Sequence, residues 1–94
     1  MLSEKLRILR EQTGLPQRKV AAALDIDTAT YCKIENGNYL PRKALILMLS
    51  DILKADQEEL LKLWLVDRFM AVADSEKELA PEAFKIAQQQ IEKQ

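Results

Sequence analysis

Turn-forming residues are scarce in this chain: its 94 residues hold two glycines and three prolines. An all-β fold needs many tight turns, so that class is excluded first. Ala, Leu, Glu, Lys and Gln are abundant instead, and all are good helix formers. An all-α architecture is therefore expected. The length suits one domain, and 48% apolar with 31% charged residues is globular rather than disordered composition.

The inventory also removes chemistry. The chain has no histidine, which eliminates His-based triads, His–metal sites and the commonest general base. Cys32 is the only cysteine, so neither an internal disulfide nor a zinc cluster can form. Three serines and scattered carboxylates offer no base–nucleophile pairing. The expectation is a protein without enzymatic activity, metal or cofactor. Apolar runs such as Ala44–Leu49 fall far short of the roughly 18 residues a membrane span requires. Charges also recur through the first residues, where a secretory signal would place an apolar core. A soluble, cytoplasmic protein with no membrane partner is expected.

Apolar spacing divides the chain into six helices. Leu2, Leu6 and Leu9 mark the first, about 2–13, with Gly14 as its C-terminal cap. Pro16 suits the start of a short second helix, about 16–24, carrying Val20, Ala21 and Leu24. Asp27 can cap a third helix that runs to Asn36, and Gly37 supplies the left-handed residue that ends it. Leu45, Leu49, Ile52 and Leu53 mark a fourth, about 42–54. Asp56 caps a fifth that extends to about Ala73, with Glu58 and Glu59 well placed in its first turn. Pro81 opens a sixth, reaching about Lys93. Internal repeats and low-complexity linkers are missing.

The formal charge of −1 hides an asymmetry. Residues 1–54 carry nine Lys/Arg against six Asp/Glu, and residues 55–94 carry five against nine. A basic front and an acidic back suggest that only the front faces a polyanion. Two short helices separated by a tight turn, with a basic segment beyond, make a helix-turn-helix layout. Its second helix would enter the DNA major groove, which admits one helix.

Arg10, Gly14, Gln17, Ala21, Leu24, Ile26, Ile34, Glu35, Gly37 and Pro41, in that order and spacing, resemble the lambda/434 repressor and Cro-like helix-turn-helix family, also called the XRE family. The resemblance covers roughly residues 2–60. It implies a five-helix repressor-like helix-turn-helix domain, here with an additional C-terminal helix, and double-stranded DNA as partner. It further implies a structural ion pair between Arg10 and Glu35, phosphate contacts from Gln17, Arg18, Lys19, Thr30, Asn36, Asn38, Arg42 and Lys43, and base contacts from Thr28, Ala29 and Lys33. Lysine can donate to guanine, and alanine or a threonine methyl can pack on thymine methyl. Two departures stand out: Asp25 occupies a turn position usually held by glycine, and Pro16 replaces the usual Thr/Ser cap. Tyr31 is expected to be half in the core, and Cys32 to be a small packing or surface residue.

The fifth helix is apolar on nearly every side, from Leu60 to Val72, and must be covered on every side. Residues 1–55 are expected to form the helix-turn-helix core. Residues 56–94 would extend that same compact domain and form a dimer interface with Trp64, Phe69 and Met70 at its centre. The functional expectation is a homodimeric transcriptional regulator on pseudo-palindromic operators, such as a restriction–modification controller or phage-type repressor. The alternative is an antitoxin or protein-interaction module on the same scaffold, holding a protein partner through the C-terminal helix, with DNA binding weak or lost.

Overall fold

The computed structural model describes residues 1–94, and all of its regular structure is helical. The elements are α1 (Leu2–Thr13), α2 (Gln17–Ala23), α3 (Thr28–Glu35), α4 (Lys43–Ile52), α5 (Gln57–Asp74) and α6 (Ala80–Glu92). Each lies within two residues of the bounds that apolar spacing gives.

Helices α2, α3 and α4 end in the same way. After α2, the Asp25 N–H donates to Ala22 and the Ile26 N–H to Ala21. After α3, Gly37 donates to Ile34 and Asn38 to Lys33. After α4, Lys54 donates to Asp51 and Ala55 to Ser50. This paired bonding satisfies the last carbonyls of a helix, but requires one left-handed residue at the corner. Gly37 fills that corner freely at φ 78°, while Asp25 (φ 59°) and Lys54 (φ 54°) hold it with a Cβ present. Sharp corners keep the connections short, so successive helices fold back onto one centre.

That centre holds Leu2 and Leu6 of α1, Val20 and Ala21 of α2, Tyr31 and Ile34 of α3, and Ile46 and Leu49 of α4. Leu24, Leu53, Leu60 and Trp64 complete it. Ala21 is 1% exposed at the packing of α2 on α3, and a larger side chain there would force the two helices apart. Tyr31 is fully buried rather than half in the core.

Trp64 corrects an expectation. Placed at a dimer interface by its residue type, it is instead a core residue of the single chain, 8% exposed. Its indole N–H donates to the Pro41 carbonyl at 2.7 Å, fastening α5 beneath the α3–α4 loop. A buried indole with its polar edge satisfied within its own chain leaves little for a partner to cover.

The first half of α5 therefore belongs to the core, through Leu60 and Trp64. Its second half leaves it: Phe69, Met70 and Val72 are exposed. Helix α6 meets only the end of α5, through an edge-to-face contact of Phe69 with Phe84 at 6.3 Å, and buries none of its residues. The molecule is accordingly elongated, 42 × 26 × 20 Å.

Candidate nucleic-acid interface

Helix α3 is eight residues long, too short to hold itself in water, so its position is imposed from outside. At its start, Asp27 Oδ1 accepts from the Thr30 N–H at 2.7 Å. Thr30, by its side chain and then its backbone N–H, holds the Asp27 carboxyl below the ordinary aspartate range. The cap stays charged at neutral pH, where it offsets the free N–H groups of the first turn.

At the other end, Glu35 gathers donors from two helices. Arg10 of α1 donates from Nε to Oε2 at 2.6 Å and from Nη2 to Oε1 at 3.1 Å, a two-pronged pair. The third guanidinium nitrogen donates to the Leu15 carbonyl at 3.1 Å, so one side chain ties α1, the turn before α2, and α3. Gln17 of α2 adds a bond from Nε2 to Glu35 Oε1 at 3.2 Å. The two charged side chains are 14% and 2% exposed. Burial pushes the Glu35 carboxyl upward, but the Arg10 guanidinium and its other donors outweigh that and hold it below the usual glutamate range. The hydrogen bond to Glu35 raises the Arg10 guanidinium in return. Burial, then Glu35, push the Tyr31 phenol above its normal range; its hydroxyl lies near the pair without a hydrogen-bond partner of its own.

With its inner side fixed, α3 presents Thr28, Ala29 and Lys33 to solvent. These residues share one outward face at helical spacing. Arg18 and Lys19 are exposed on α2, and Asn36, Asn38, Arg42 and Lys43 are exposed around the loop into α4. Thr30 is half-buried, with its N–H held by the Asp27 cap.

Gln17 departs from its expected outward role. Its Nε2 is bound to Glu35, and its Oε1 accepts from the Cys32 thiol at 3.2 Å. Both ends of the amide therefore serve the α2–α3 contact. That contact also explains the half-buried Cys32, which is bonded rather than loose.

One cation near this surface is missed by sequence reasoning. Arg68 of α5 lies with its guanidinium 4.9 Å from the centre of the Trp64 ring. It lines a shallow concavity with Arg42 and Lys43, and no carboxylate pairs with it. Only the seating of Trp64 under Pro41 brings Arg68 to the basic side, and nothing in its local sequence signals that placement.

The model of the helix-turn-helix domain family matches residues 2–63. This chain belongs to that family. Within it, the chain is of the XRE/Cro-like type, and the matched segment runs from α1 into the buried half of α5. The helix-turn-helix itself is α2, the corner at Asp25, and α3. Membership gives the chain the scaffold of a DNA-binding regulator in general. No curated protein and no solved structure matches it. No helix is long and apolar enough to cross a membrane.

Proposed function

We propose that this helix-turn-helix protein is a sequence-specific transcriptional regulator that binds pseudo-palindromic duplex sites as a homodimer. The observation that carries the reading is the division of α3: Glu35 is locked inward by Arg10 and Gln17 while Thr28, Ala29 and Lys33 stay free. A helix held this way can enter a major groove without paying to reorganise.

In this reading Lys33 donates to guanine, and Thr28 and Ala29 pack on thymine methyl groups. Arg18 and Lys19 on one side, and Asn36, Asn38, Arg42 and Lys43 on the other, hold the phosphates that fix the register. Thr30 approaches the backbone at the edge of the groove, and Gln17 orients α2 more than it touches phosphate. Residues 1–55 supply the DNA-facing core, and residues 56–94 join two copies and turn their acidic surface away from the duplex. Phe69 and Met70, about half exposed, belong to that joining surface. The role is that of a restriction–modification controller or phage-type repressor, acting without catalysis, metal or cofactor in the cytoplasm.

The test is duplex affinity measured against salt concentration by fluorescence anisotropy. Neutralising phosphates with Arg18, Lys19, Arg42 and Lys43 predicts a log–log slope of roughly −4 per protomer, at about −0.9 for each phosphate. Binding that is absent, or flat across the salt series, contradicts the reading.

A further inference from the structure

Where α5 passes beneath the α3–α4 loop, the surface dips into a hollow of about 370 Å³ that is open to solvent. Its walls are Leu40, Pro41, Arg42, Lys43, Trp64 and Arg68, three cations with no acid among them. All three cations are exposed, and none has a carboxylate within ion-pair distance. Like charges around one hollow repel each other, and the potential they leave is one that an anion answers.

Arg68 reaches the hollow through two fixed contacts. The Trp64 indole is anchored on the Pro41 carbonyl at 2.7 Å. One helical turn further along α5, the guanidinium sits over the indole ring, 4.9 Å from its centre. The ring's negative face steadies the cation without using a hydrogen bond. No N–H donor of Arg68 is bonded to the protein, so all five remain for oxygen ligands from outside. Its sequence neighbour Asp67 does not neutralise it. That carboxylate turns to the start of α1, where it accepts the Leu2 N–H at 3.2 Å.

The lining also defines the anion. Beyond the cations it offers only Leu40, Pro41 and Trp64, with no polar side chain to tell one base, sugar or acid from another. Guanidinium forks match the paired oxygens of a phosphate. Helix α4 begins here with no side chain capping its first turn, so its positive end adds to the field. A free phosphate ester would call for a concave site that buries most of it, with polar groups that fix its orientation. An open, charge-reading hollow continuous with Arg42 and Lys43 suits the backbone of the duplex instead.

We propose that Arg68 is a further DNA-contacting residue: with Arg42 and Lys43 it seats one backbone phosphate of the duplex, and Trp64 is the platform that holds it there. The inference rests on the DNA-binding reading above and extends the contact surface from the helix-turn-helix and its following loop to α5.

The experiment is duplex affinity against salt for wild type, Arg68→Gln, Arg42→Gln, the two combined, and Lys62→Gln. The last removes an equal charge from α5 outside the hollow. Arg68→Gln is expected to weaken binding about eightfold per protomer at 0.1 M salt and to flatten the log–log slope by about 0.9, the loss of one phosphate contact. Lys62→Gln should keep the wild-type slope. The double variant should lose less than the two single losses combined, because one phosphate is shared. Ethylation of duplex phosphates should reveal one position per half-site whose modification weakens wild type but not Arg68→Gln. Slopes that agree among wild type, Arg68→Gln and Lys62→Gln overturn the Arg68 assignment and leave the DNA-binding reading standing. If, in addition, micromolar inorganic phosphate gives a saturable change in Trp64 fluorescence, the occupant is a free anion. A wild type that fails to bind duplex, or binds without salt dependence, overturns the DNA-binding reading and this inference with it.

Discussion

Arg10 and Glu35 are far apart in sequence, yet they fix which face of α3 turns outward. Replacing Arg10 with alanine leaves Glu35 buried without a cation, beside Gln17 and the Tyr31 hydroxyl, and should cost about 3 kcal/mol in chemical denaturation. The same pair gives a pH signature. The folded Glu35 carboxyl lies below its ordinary value of about 4.3, so its contribution is complete above about pH 5 and is lost as pH falls through the lowered value. Glu35→Gln should therefore be less stable at pH 7 and lose less stability on acidification. The pair was legible in the sequence through the family resemblance, since no spacing rule links residues on α1 and α3. Gln17 shows the limit: amide chemistry fits phosphate and carboxylate equally well, and only the approach of Glu35 and Cys32 decides between them.

Helices could be read closely because apolar spacing and caps are local signals. Asp27, Gly37 and Asp56 act where their chemistry placed them. Lys54 could not be read, because lysine has no preference for the left-handed corner it occupies at φ 54°. Lys54→Gly should relieve about 1 kcal/mol of backbone strain and raise Tm by several degrees. Asp25→Gly should gain less, because aspartate tolerates that region better than lysine does. Loss of the stabilisation in Lys54→Gly would mean that the lysine side chain contributes more at the corner than its backbone costs. The buried Trp64 was misread at this same scale. An aromatic on an all-round apolar helix fits an interface or a core equally, and the Pro41 carbonyl that claims its N–H lies in another element.

For the whole molecule, the two halves of the chain differ in charge and in cover. The basic half builds most of the core and leaves a cationic side open, while the acidic half closes that core with Leu60 and Trp64 and then extends an arm whose apolar residues are exposed. That division suits two copies joined through their arms, presenting two α3 helices to successive turns of one duplex about 34 Å apart. In the proposed dimer, joining the copies would raise the effective concentration of the second half-site and offset a short base readout in each. It also makes the DNA-facing and joining surfaces separable: Ile86→Glu should weaken binding to a two-half-site duplex much more than binding to a single half-site.

The most direct measurement is selection of binding sequences from a random duplex pool by the wild type and by Lys33→Ala. The account predicts two inverted half-sites about 10 base pairs apart for the wild type, and for Lys33→Ala a loss of preference at the guanine positions with salt-sensitive binding retained. Recovery of one identical sequence by both proteins, or of no sequence by the wild type, would contradict it.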